Sequence, residues 1–155
     1  MAETINTKTV TGRRSVRYNT LDDLLQEAER LAETDIRTIG NWSQGQIYEH
    51  LARAIDYAID GAKPFPLPMR WLMTLLFKNK FIHKSLPAGF KAPSGAVPKP
   101  ISTEDGLTLL RTAIARQHET SDRAPHAVFG KISNEEWEQF NLRHAEMHMS
   151  FIAEE

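Results

Sequence analysis

Six histidines are spread along a chain that contains no cysteine, so a transition metal bound here must be held by imidazole or carboxylate. Two of them, His144 and His148, stand four apart in Ser133–Phe151, which reads S-N-E-E-W-E-Q-F-N-L-R-H-A-E-M-H-M-S-F. In that run Trp137, Phe140, His144, His148 and Phe151 recur at steps of three and four. At 3.6 residues per turn they share an arc of roughly 80°. Both imidazoles therefore lie one turn apart on the stripe that should face the core, and from there they can reach a single ion. A third, His50, sits between Ile47 and Ala54 on the apolar stripe of another segment. Three imidazoles with a fourth position open are the ligand set of a catalytic zinc site, and nickel or iron also suits imidazole. The bland alternative is a set of core histidines that bond their neighbours, at about 1–3 kcal/mol for each polar group left unmet.

The elements that must position these residues read as helices. The first begins at Thr20, a capping hydroxyl followed by Asp22 and Asp23, and carries Leu21, Leu24, Leu25, Ala28, Leu31 and Ala32 on one face. Its pattern fades over residues 34–39. The second opens on Ser43-Gln44-Gly45-Gln46, a capping box with Trp42 ahead as a staple, and stops at Gly61. The third starts at Ser102 or Thr103 and has Leu107, Leu110, Ile114 and His118 on one face. The fourth opens on a second capping box at Ser133. No strand-like alternation of useful length and no internal repeat is visible.

Residues 62–101 differ in kind. They hold seven of the eight prolines, and their charges, Lys63, Arg70, Lys78, Lys80, Lys84, Lys91 and Lys99, include no acid. Within them residues 69–80 suit a short helix with Trp71, Leu72, Leu75 and Leu76 turned inward. A connection this long predicts a crossover, a lid or a pocket wall. The expected architecture is an all-α four-helix bundle, up-down-down-up, occupying residues 19–155, with 1–18 a flexible N-terminal arm. In that arrangement the second and last helices are antiparallel. His50, seven residues or about 10 Å along the axis from Ser43, then comes level with His144 and His148.

Three stretches now carry a resemblance: Gly40 to Ala52 (G-N-W-S-Q-G-Q-I-Y-E-H-L-A), His126 to Trp137 (H-A-V-F-G-K-I-S-N-E-E-W) and Arg143 to Phe151 (R-H-A-E-M-H-M-S-F). They resemble the domain-of-unknown-function family numbered 1569, within the DinB-like superfamily of four-helix bundles, over nearly the whole chain from about Arg13. The resemblance implies a divalent metal on His50, His144 and His148, because the superfamily holds one with a His from its second helix and a His-x-x-x-His pair from its fourth. It also implies a thiol transferase-like activity for some members. Relatives often carry a further His just before the last ligand; here that residue is Met147.

Zinc or nickel leads the expected cofactors, with iron and manganese behind. Gln46, one turn before His50, could orient a ligand, although the capping box alone explains it. His118 and His126 are further candidates for the surroundings of the site, and Trp71 for its roof. Glu49 and Glu146 adjoin ligand positions but point away from the stripe, which predicts surface placement. The expected partner is a small electrophilic substrate with a low-molecular-weight thiol or water. A hydrolase at the same site, or a non-catalytic bundle with a structural His cluster, are the rival readings. Net charge of −1 and a pI near 6.6 give no reason to expect nucleic acid. Arg13-Arg14 is followed by no apolar run, and the apolar cluster from Trp71 to Phe77 is too short to span a bilayer. A cytoplasmic protein with no membrane partner is expected, with a homodimer surface on the exposed part of that cluster.

Overall fold

The computed structural model describes residues 4–90 and 94–155; Lys91 and Pro93 of the basic, proline-rich segment lie outside them. The chain is mainly helical. Helix α1 (Leu21–Ala32) is capped by Thr20, whose hydroxyl accepts from the Asp23 amide while Asp23 reaches back. Helix α2 (Gln44–Asp60) has the same reciprocal cap at Ser43 and Gln46 and ends at Gly61 with φ 76°. Ser102 caps α4 (Thr103–Glu119), and Ser133 with Glu136 caps α5 (Asn134–Met149). Each such cap contributes about 1 kcal/mol and fixes where the helix begins. For α2 and α5 it thereby fixes which way every later histidine points.

The apolar stripes of α1, α2, α4 and α5 meet in one core, with Leu24, Leu31, Tyr48, Leu51, Leu110, Ile114, Leu142 and Met149 almost entirely enclosed. Helix α2 lies along α4 closely enough that glycines stand at the crossing. A Cβ on Gly45 would run into the Ser102 carbonyl, and one on Gly106 into the Gly45 carbonyl. Near the far ends of the same helices Gln117 donates to the Ile55 carbonyl, and Arg116 pairs with Asp56 and Asp60.

Several expectations need correction. A small antiparallel sheet is present, β1 (Ile36–Thr38) on β2 (Ile152–Glu154), and it ties the end of the chain beside α1. Three residues per strand are too few to display alternation in the sequence. Helix α5 also stops at Met149, so Phe151 lies beyond it. The apolar stretch of the crossover forms a full helix, α3 (Leu67–His83), started by prolines at Pro66 and Pro68. It packs on α5, yet Trp71, Leu72, Leu75 and Leu76 face outward instead of inward.

The stretch expected as a flexible arm is fastened at Ile5, whose amide donates to Asn41 and whose carbonyl accepts from it, and again from Arg13 onward. Arg13 donates to the Ser150 hydroxyl and the Met147 carbonyl, and Arg14 to the Ile152 carbonyl and Glu27. Tyr18 is buried, its amide donating to Glu146 Oε1 at 2.8 Å and its carbonyl accepting from Arg143 at 2.7 Å. Glu146 is therefore a core residue, paired with a buried Arg143 at 2.8 Å, and not a surface one. The pair takes up the two backbone groups of Tyr18 as a neighbouring strand would.

Candidate metal centre

His50 comes from the middle of α2 and His144 and His148 from the last turns of α5. Their Nε2 atoms point at one another: His144 Nε2 is 3.3 Å from that of His50 and 3.0 Å from that of His148. The three rings offer one nitrogen each, all within 4.8 Å of one another, and each residue is half-buried. Tetrahedral coordination with bonds of about 2.0–2.1 Å separates neighbouring ligand nitrogens by about 3.3 Å. The residues therefore fit a divalent ion without large movement.

Burial, foremost, keeps all three rings uncharged. It holds His50 down at about 4, aided by Arg53 and opposed by a backbone hydrogen bond with Ala96. His144 is held down at about 3 by burial and by the neighbouring His50 and His126. His148 lies well below the usual imidazole range, again by burial, with His144, His50 and Arg13 adding to it. At neutral pH each ring is therefore the neutral imidazole that metal coordination requires. The crossover is held against α2 beside His50, where Arg53 donates to the Gly95 carbonyl of a 3-10 turn (Ser94–Ala96).

Aromatic rings wall the site. Trp42 stacks on His148 with centroids 5.1 Å apart and planes 10° from parallel, and lies 4.8 Å from the His50 ring. Phe140 stacks on His144 at 6.1 Å. Such contacts restrict how the imidazoles turn and keep water from one side. His144 Nδ1 is buried without a hydrogen-bond partner, a cost of about 1–3 kcal/mol. No carboxylate belongs to the three-residue group among the described residues.

The other candidates fall elsewhere. Gln46 accepts from the Ser43 amide and donates to the Pro98 carbonyl, so it anchors the crossover and does not touch a histidine. His118 meets Asp22 at 3.0 Å on the exposed surface. Trp71 faces solvent on α3 and roofs nothing. His126 is buried one ring away: it lies against Phe140 at 4.6 Å and stacks on Phe129 at 4.7 Å. Its Nδ1 accepts from the Val128 and Phe129 amides, both at 3.1 Å. Glu49 pairs with Arg53. The residue that sequence reasoning under-read is Trp42, taken as a staple ahead of the Ser43 cap. It stands two turns before His50, so it projects over that ring and reaches His148 as well.

The family described as Protein of unknown function (DUF1569) has a model that matches residues 10–155 of the chain. No curated protein and no solved structure matches it.

Proposed function

The chain belongs to the DUF1569 family, and from that premise we propose that it is a metal-dependent enzyme whose divalent ion is held by His50, His144 and His148. Its substrate would be a small electrophile, attacked by a low-molecular-weight thiol or, as a hydrolase, by water. The observation that carries the reading is the convergence of three neutral Nε2 atoms at spacings suited to one ion. When bound, such an ion polarises an electrophile and lowers the pKa of a coordinated thiol or water. Zinc or nickel suits three imidazoles best, ahead of iron and manganese.

The chain's own residues supply the rest. The Trp42 ring lies against His50 and His148, and the Phe140 ring against His144, and these contacts restrain the three imidazoles. With no carboxylate in the group, the nucleophile's proton leaves by way of solvent or a second substrate.

A DinB-like, up-down-down-up bundle accounts for this placement. In support, Gln44 and Tyr48 bond the Leu31 and Ala28 carbonyls, as antiparallel α1 and α2 would. Arg111 and His118 reach Glu29 and Asp22, as antiparallel α1 and α4 would. Trp42 meets His148 while Ala58 packs with Trp137, as antiparallel α2 and α5 would. No described helix is long and apolar enough to cross a membrane, and the cytoplasm is the proposed place of work.

One observation favours a second reading. His144 Nε2 lies within hydrogen-bond distance of both neighbours and, as a single ring nitrogen, either donates to one of them or accepts from one, so the triad can also be a metal-free cluster held by ring packing and one such bond. Metal analysis of untagged protein after zinc or nickel supplementation separates the two. The metal reading expects about one ion per chain in the wild type and little in His144→Ala; equal, negligible metal in both would leave the structural cluster. Conjugation of an electrophile panel, run with and without thiol and with and without chelator, then tests the chemistry. Turnover that ignores thiol but stops with chelator would favour hydrolysis.

A further inference from the structure

Helix α3 is apolar nearly all round, which in a water-soluble chain is the mark of a helix covered on every side. It is covered here on one side and toward its C-terminal end. Phe81 packs toward Phe129, Lys78 pairs with Glu136 at 2.8 Å, and Ile82 is enclosed. The opposite side presents Leu67, Met69, Trp71, Leu72, Leu75 and Leu76, with Leu67, Trp71 and Leu75 at 74%, 70% and 67% exposure. Placed at 100° per residue, these six spread over roughly half of the helix circumference along its first three turns, while Lys78 and Ile82 fall in the same arc farther along, where the helix is covered, so the six form one face of the N-terminal part of α3.

Charge decides what covers it. Lys63 lies just before the helix, and Lys80, His83 and Lys84 at its end, all exposed; Arg70 and Lys78 are where the helix is covered. No Asp or Glu occurs anywhere in residues 61–101. A second copy packed antiparallel on this face would bring the Lys80–Lys84 end of one α3 against the Lys63 end of the other, base on base. A surface of anionic lipid headgroups meets the same lysines with opposite charge and takes up the apolar side chains. The helix is about 25 Å long and too short to cross the bilayer, so it would lie in the plane of the interface, with Trp71 at headgroup depth.

We propose that the outward face of α3 docks the protein on anionic membrane surfaces, Leu67 to Leu76 entering the interface and Lys63, Lys80 and Lys84 pairing with headgroups. The inference stands apart from the metal reading, since none of these residues lies at the three-His centre. The sequence reading of no membrane partner rests on the cluster being too short to span a bilayer, which leaves docking in the plane of the interface untouched.

The test is sedimentation with vesicles of phosphatidylcholine alone and of phosphatidylcholine with a third phosphatidylglycerol, using the full chain, with light scattering on the same samples without lipid. The wild type should partition to the anionic vesicles, weaken with salt, and blue-shift the emission of Trp71. Lys80→Gln with Lys84→Gln should lower the partition coefficient about thirtyfold. Leu75→Glu, at an exposed position and so without effect on folding, should lower it at least tenfold. Equal binding to neutral and anionic vesicles would overturn the charge argument and with it the proposal. So would no binding to either, and so would a dimer in solution that Leu75→Glu dissolves while lipid binding is absent.

Discussion

His144 has the most to lose of any residue in the chain. Its Nε2 stands at hydrogen-bond distance from both other imidazoles, while its Nδ1 is buried with nothing to bond. Of the three rings it is the one through which the other two meet. His126 illustrates the opposite case, an imidazole with a complete structural role. Its Nδ1 takes two backbone amides, and burial, with Arg70 nearby, holds its pKa at about 4. Because the folded value lies below the ordinary 6.5, the unfolded chain takes up the proton first as pH falls. The stability that this neutral ring supports is therefore complete above about pH 6.5 and drains away toward pH 4, by about 2 kcal/mol at pH 5. In metal-free protein, urea titrations at pH 7 and pH 5 should show that loss shrinking by a similar amount in His126→Gln. An unchanged loss would mean that the ring is not the buried neutral base described. At this scale the sequence was informative about types and poor about partners. His50, His144 and His148 could be read from helical spacing, but Trp42 against His148 and Glu146 against the Tyr18 amide depend on contacts across 100 residues or more.

At the scale of elements, the helix starts were legible because capping is local: Thr20, Ser43, Ser102 and Ser133 all cap the helices expected of them. The direction that α3 faces was not legible, since a helix apolar all round carries no stripe to read. Neither was the α2–α4 crossing, where two glycines let backbones touch. Gly106→Ala would force the Gly45 carbonyl aside, and overpacking against backbone costs about 1–3 kcal/mol. The melting temperature should drop by several degrees, roughly 2–4 °C per kcal/mol for a chain this size. Gly95→Ala, which meets nothing within 4 Å among the described residues, should change it little. If the two variants melted alike, the crossing would not be as tight as described. Because Gly45 opens the helix that carries His50, a loosened crossing should also weaken metal retention.

Taken whole, the molecule holds its candidate centre by long-range ties. The α2 and α5 caps set the helical phase of three histidines, the crossover bonds Gln46 and Arg53 through the Pro98 and Gly95 carbonyls, and the N-terminal segment clasps the end of α5. A mainly helical fold and the coming together of the three histidines followed from periodicity and loop length. The two-stranded sheet, the docked N-terminal segment and the outward face of α3 did not, because each depends on what neighbours leave uncovered. Everything proposed about chemistry rests on the three Nε2 atoms sharing one ion. X-ray absorption at the zinc edge of untagged, zinc-loaded protein tests that directly. The account predicts three imidazole nitrogens at about 2.0–2.1 Å with one further light ligand; a first shell without multiple imidazoles, or no retained zinc to measure, would contradict it.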